Sequence, residues 1–130
     1  MWVIPMSNDH FDKGLRKRRE IVGDERVDKW VGESDDFLQA LEEVTTEIAW
    51  ASIWSREGLS SQTRSLLTLV LLAAQNRPVE LEAHLITAVQ NGCSREEIRE
   101  ALLHTAAYCG VPTARGAIKL ASRVLAEAEA

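Results

Sequence analysis

Helix punctuation constrains this chain more than any other feature. Ser94-Arg95-Glu96-Glu97 is a capping box, in which a serine and a glutamate three residues later satisfy the free donors of a helix start. Pro78 stands where a first helical residue belongs, and Gly92 where a C-terminal cap belongs. Gly110 stops the helix that the box starts, and Pro112 opens a last one that runs to the C-terminus.

The same signals recur upstream. A first helix is expected from about Asp9 to Val22, stopped at Gly23-Asp24, and a short second one over Glu25–Val31, before Gly32. Ser34 or Asp35 can cap a third, whose Phe37, Leu38, Leu41, Val44 and Ile48 recur at helical spacing and form one apolar stripe. It should end between Trp50 and Gly58. Ser60 or Ser61 can cap a fourth, which carries the run Leu66 to Ala74. No segment alternates as a strand would between turn signals. The expected class is all-α, a bundle of about six to seven helices.

Length and composition bound the assembly. The 130 residues suit one domain, here 9–130 behind an N-terminal extension of residues 1–8, with no internal repeat. The fourth helix is apolar nearly all round and needs neighbours on most sides. A symmetric homo-oligomer is one answer; a central place in a single bundle is the other.

Several classes of function are excluded or disfavoured. Fifteen basic against twenty acidic side chains give a net charge of −5, a poor match to a nucleic-acid backbone. The basic cluster Lys13, Arg16, Lys17, Arg18 and Arg19 has one aromatic nearby, Phe11. It reads as an attractor of anionic substrate or as a solvated helix face. The longest apolar run falls short of the roughly 20 residues that cross a bilayer, so no membrane partner is expected. The start, Met1-Trp2-Val3-Ile4-Pro5-Met6, lacks the basic and apolar regions of a signal peptide, and Met6 is an alternative first residue. Cys93 and Cys109 form no CxxC pair and read as structural, in a reducing, cytoplasmic compartment.

Candidate chemistry gathers in a few places. Glu80 and His84 are four apart, on one helix face, where a carboxylate can orient an imidazole for acid–base work. A solvent-facing pair is the alternative. A metal site would need more ligands than these two, and His10 and His104 have no motif spacing, so no metal is expected. Trp50 and Trp54, with Glu47 nearby, offer an apolar wall or a core contact. Arg64, in the first turn of an apolar helix, could grip a carboxylate or stand in solvent. Tyr108 precedes the sharp Cys109-Gly110-Val111-Pro112 turn and could reach a pocket or simply pack.

Taken in order, these motifs closely resemble the carboxymuconolactone decarboxylase family of the AhpD-like superfamily. The resemblance rests on Gly14-Leu15-Arg16-Lys17-Arg18-Arg19 before Val22-Gly23-Asp24, Glu47-Ile48-Ala49-Trp50 with Trp54, and Thr63-Arg64-Ser65-Leu66. It continues through Asn76-Arg77 with Glu80 and His84, Asn91-Gly92, and Ala107-Tyr108-Cys109-Gly110-Val111-Pro112. It spans about residues 9–125. It implies an all-helical AhpD-like fold, assembled into trimers or hexamers. It also implies cofactor-free decarboxylation of a small dicarboxylate lactone, 4-carboxymuconolactone, to 3-oxoadipate enol-lactone in protocatechuate catabolism. The superfamily's redox branch carries CxxC followed four residues later by His. Here Arg77 and Glu80 replace those cysteines, which disfavours thiol–disulfide chemistry. His84 would donate a proton, Glu80 orient it, and Arg64 hold a carboxylate or an enolate oxygen. Trp50 and Trp54 would form the wall, with Glu47 and Tyr108 as further polar contacts. The competing readings are another small-molecule chemistry on the same fold and a non-enzymatic helical oligomer.

Overall fold

A computed structural model of the chain describes residues 8–129. They form α1 (Asn8–Val22), α2 (Asp24–Glu33), α3 (Asp36–Thr45), a π-helical segment (Thr46–Trp54), α4 (Ser61–Ala74), α5 (Pro78–Gln90), α6 (Arg95–Cys109) and α7 (Val111–Glu129). No strand occurs among the described residues, so the all-α expectation holds. The extension and its two methionines lie outside the described residues, apart from Asn8. None of the described helices is long and apolar enough to cross a membrane. Contacts gather into two compact units, divided between Gly58 and Leu59.

In the first unit α1 packs along the π-helical segment and α2 folds back on α1. The close approach depends on Gly14, where an added Cβ would collide with the Thr46 carbonyl oxygen. The core joins Ile21, Val22 and Val27 to Trp50 and Trp54. Arg18 is buried with them, only 7% exposed. It ion-pairs with Glu42 at 2.6 Å, donates to Thr46 Oγ1 at 3.3 Å and lies 4.7 Å from the centre of the Trp30 ring. Several partners together offset the desolvation of one guanidinium.

One boundary differs from expectation. α2 runs through Gly32 to Glu33, because Ser34 Oγ donates to the Trp30 carbonyl at 2.7 Å and extends the last turn. Of the two expected caps of α3, Asp35 serves, accepting from the Leu38 amide at 2.9 Å. α3 buries none of its residues fully. Its Gln39, Glu42 and Glu43, with Thr46, line a cavity of about 320 Å³ against Arg18 and Trp30. Its stripe of Phe37, Leu38, Leu41, Val44 and Ile48 is exposed.

The second unit is built conventionally. Leu69, Leu85, Ile98 and Leu102 are completely buried, and Ala117 and Ala121 give α7 a small-residue face that lets it approach them. Each such leucine or isoleucine contributes about 1.5–3 kcal/mol by leaving water. The expected caps are in place. Ser60 accepts from the Thr63 amide at 3.1 Å, and both bonds of the Ser94–Glu97 box form. Gly110, at φ 94°, turns the chain between α6 and α7. Asn76, at φ 55°, does so between α4 and α5. α4 buries Ser65, Leu69 and Ala73 but leaves Leu67 and Leu71 exposed. Its apolar circumference is therefore only partly covered.

Candidate active site

The π-helical segment organises the candidates of the first unit. The Ser55 amide donates to the Trp50 carbonyl, five residues back, at 3.1 Å, and Ser55 Oγ reaches the same oxygen at 2.8 Å. This wider turn is rare and occurs often at functional sites. It buries Thr46, Glu47, Trp50, Ala51 and Trp54. Trp50 and Trp54 stack with ring centres 4.9 Å apart and planes at 29°. Beside them Glu47 is 5% exposed, and its Oε1 has no hydrogen-bond partner. A buried carboxylate oxygen without a donor costs at least about 1–3 kcal/mol. Such a group is characteristic of a site that meets a ligand.

α5 organises the second unit's candidates. Pro78 opens the helix and sets Glu80 in its first turn, exposed, and His84 one turn on, half-buried. The same row continues inward to Thr87 and Asn91. Thr87 is buried and bonds back to the Ala83 carbonyl at 3.1 Å. Asn91 Nδ2 reaches the buried Ser65 Oγ at 3.5 Å, and Cys93 Sγ donates to the Gln62 carbonyl at 3.5 Å. The start of α4 therefore lies beside the end of α5. Arg64 is half-buried in that first turn of α4. Glu80 and His84 are neighbours on one face of α5. Ser65, Thr87 and Asn91 extend this polar row, and only the packing of α4 on α5 brings them together.

Tyr108 stands apart. It is 81% exposed at the end of α6, its ring 5.2 Å from that of His104. A cavity of about 190 Å³ opens between the α4–α5 turn and the start of α7, lined by Arg77, Pro78, Pro112 and Gly116.

The basic run on α1 is not a single solvated face. Lys13 and Arg16 are exposed, Lys17 pairs with Glu20 at 3.5 Å, and Arg18 belongs to the core. Arg19 bonds Asp28 at 2.8 Å and Asp24 at 3.2 Å, and these bonds raise its pKa above the ordinary arginine value. Both cysteines are free thiols. Burial, aided by the Glu97 charge, pushes the Cys93 thiol up, while Cys109 is exposed. Among the described residues no three His, Cys, Asp or Glu side chains are grouped as a metal ion would require.

Residues 39–123 match the model of the carboxymuconolactone decarboxylase family. The chain is 35% identical over 114 residues to the 4-carboxymuconolactone decarboxylase of Acinetobacter baylyi, covering 88% of this chain and 85% of that one. It is 42% identical over 103 residues to a nitrosuccinic acid decarboxylase of Metarhizium robertsii, covering 79% and 72%. An uncharacterised 15.0 kDa protein of Paracoccus denitrificans is 29% identical over 83 residues, 62% of each chain. A family match over well over half of the chain, with two decarboxylases as relatives, makes this protein a carboxy-lyase of the carboxymuconolactone decarboxylase family.

Proposed function

We propose that the chain decarboxylates 4-carboxymuconolactone to 3-oxoadipate enol-lactone without a cofactor. The observation that carries this reading is the similarity to the Acinetobacter decarboxylase across nearly nine tenths of the chain. On the same reading the reaction belongs to protocatechuate catabolism in the cytoplasm, and the protein works as a homo-oligomer, a trimer or a hexamer.

The substrate's own chemistry sets the requirements. As the carboxylate leaves the γ carbon as carbon dioxide, its bonding electrons move through the ring double bond onto the lactone carbonyl. The lactone is thus the electron sink. The resulting dienolate takes a proton on carbon. His84 donates that proton, and Glu80, one helical turn away, orients the ring and supports its charged form. Arg64 holds a carboxylate or the enolate oxygen. The stacked indoles of Trp50 and Trp54 desolvate the leaving group. Glu47 and Tyr108 make polar contacts to the substrate; the partnerless Oε1 of Glu47 supports its part in this.

The Metarhizium relative supports a second reading. Nitrosuccinic acid also carries two carboxyl groups and an electron sink, the nitro group, next to one of them. A pocket that grips one carboxylate and desolvates the other would serve either acid. The test is carbon dioxide release from each acid by chelator-treated protein, measured against the spontaneous background. Fast release from the lactone acid, with slow release from nitrosuccinate, supports the first reading. The reverse preference establishes the second. No acceleration of either, from folded protein, overturns both.

A further inference from the structure

The cavity beside Arg18 belongs to no part of the proposed reaction: none of the residues to which decarboxylation is assigned lines it. Its volume of about 320 Å³ is roughly ten times one water molecule's share of the liquid and lies within the range of small-molecule sites. Close-packed interiors leave few voids above the size of a water. We infer that this cavity is a second binding site, for a small neutral molecule that carries a hydroxyl on an apolar ring, a phenol being the simplest.

Two side chains call for the hydroxyl. Arg18 is only 7% exposed, and its Nε–H has no acceptor. Glu42 Oε2 is buried 2.6 Å from Arg18 Nη1, yet no donor meets it in hydrogen-bond alignment. Nε and Nη1 share one guanidinium carbon, so the unmet donor and the unmet acceptor lie within about 5 Å of each other. A buried polar group without a partner costs stability that a partner restores. One hydroxyl serves both: its oxygen accepts from Nε and its hydrogen goes to Oε2, at about 2.7–3.0 Å from each. Both atoms lie just inside the wall, and the Glu42 side chain, 34% exposed, is the part that turns to admit the oxygen.

The remaining walls select the rest of the molecule. Phe11, Leu15, Val27 and Val31 form an apolar slot beside this polar end. Glu43 also faces the cavity, and the Arg19 that lines it is already held by Asp24 and Asp28. An anion would find no free cation there, and Arg18 repels a positively charged ligand. A neutral ring with one hydroxyl meets neither penalty.

Calorimetric titration of the full chain with phenol, toluene and benzoate tests this. Phenol should bind once per chain. Toluene, with a methyl in place of the hydroxyl, and benzoate, with a carboxylate, should each bind about tenfold or more weakly. This comparison needs no variant. Val31→Trp and Gln39→Trp then locate the site, because both residues line the cavity and are themselves exposed, so an indole at either fills it while Arg18 keeps its ion pair. Each should abolish phenol binding with the helical circular dichroism unchanged. Absence of phenol binding to the wild type would mean a cavity that holds water alone. Equal affinity for phenol and toluene would remove the hydroxyl from recognition, and tighter binding of benzoate would reverse the argument from charge. Phenol binding untouched by both tryptophans would place it elsewhere. Each of these results overturns the inference.

Discussion

The two units of this chain divide their burial differently. The second, from α4 onwards, has a fully buried aliphatic core of Leu69, Leu85, Ile98 and Leu102, though it too leaves Leu67, Leu71 and Val79 exposed. The first hides Arg18 and Glu47 and exposes Phe37, Leu41 and Ile48. A buried cation with three partners is structural. A buried carboxylate oxygen with none, beside a π turn and two stacked indoles, costs the folded state stability. On the proposed function, the substrate would meet that group in the first unit, while the second carries the Glu80–His84 pair.

The sharpest way to probe this division is kinetic. On the proposed function, His84→Ala should lower kcat by about 10²- to 10⁴-fold, as expected when a proton donor is removed. KM should change far less, as measured by steady-state decarboxylation. An unchanged kcat would remove His84 as the proton donor.

Stability supplies the next contrast. Leu102→Ala, in the dense core of the second unit, should cost about 2–5 kcal/mol in a denaturant titration. Leu41→Ala, on the open face of α3, should cost less than about 0.5 kcal/mol under monomeric conditions. Similar losses at the two positions would erase the distinction between the units. Gly14→Ala probes the first unit alone. Its new methyl must push α1 from the Thr46 carbonyl, so about 1–3 kcal/mol should be lost, with a change in near-ultraviolet circular dichroism from the indoles packed there.

The smallest effect is at the capping box. The Ser94 amide donates to the Glu97 carboxylate at 2.9 Å and, with the Ser94 side chain beside it, holds its pKa below the usual glutamate value of 4.5. A depressed folded-state pKa adds stability above the unfolded value, and that stability is lost as pH falls through the folded one. Ser94→Ala, as the loss of a helix cap, should cost about 1 kcal/mol at pH 7. The part that comes from the Glu97 carboxylate should fade as pH falls through its folded-state pKa, below the usual glutamate value, which thermal unfolding across pH would measure.

What the sequence disclosed follows from the range of each signal. Caps are local, so Ser60, Ser94, Pro78 and Gly110 could be read directly, and only Gly32 misled, because Ser34 supplied a competing bond. The Glu80–His84 neighbourhood follows from helical period alone. The π turn does not, since no residue type marks a shift from four-residue to five-residue hydrogen bonding. Nor does periodicity say which way a stripe faces: Phe37 to Ile48 are spaced like a core face, yet they are exposed and α3 buries no residue fully. The run Lys13 to Arg19 looks uniform on paper. Only the packing of α1 against Trp30 and Glu42 separates the buried Arg18 from its exposed neighbours.

The stacked indoles have one more consequence. Two chromophores 4.9 Å apart share their excited states, so Trp50 and Trp54 form a coupled absorber whose signal depends on their mutual tilt. Any molecule that wedges beside them or rotates one ring changes that coupling before any bond is broken. On the proposed function, with the indoles as the wall against the leaving group, the pair would serve as an unlabelled optical reporter, by which arrival of substrate is timed separately from release of carbon dioxide.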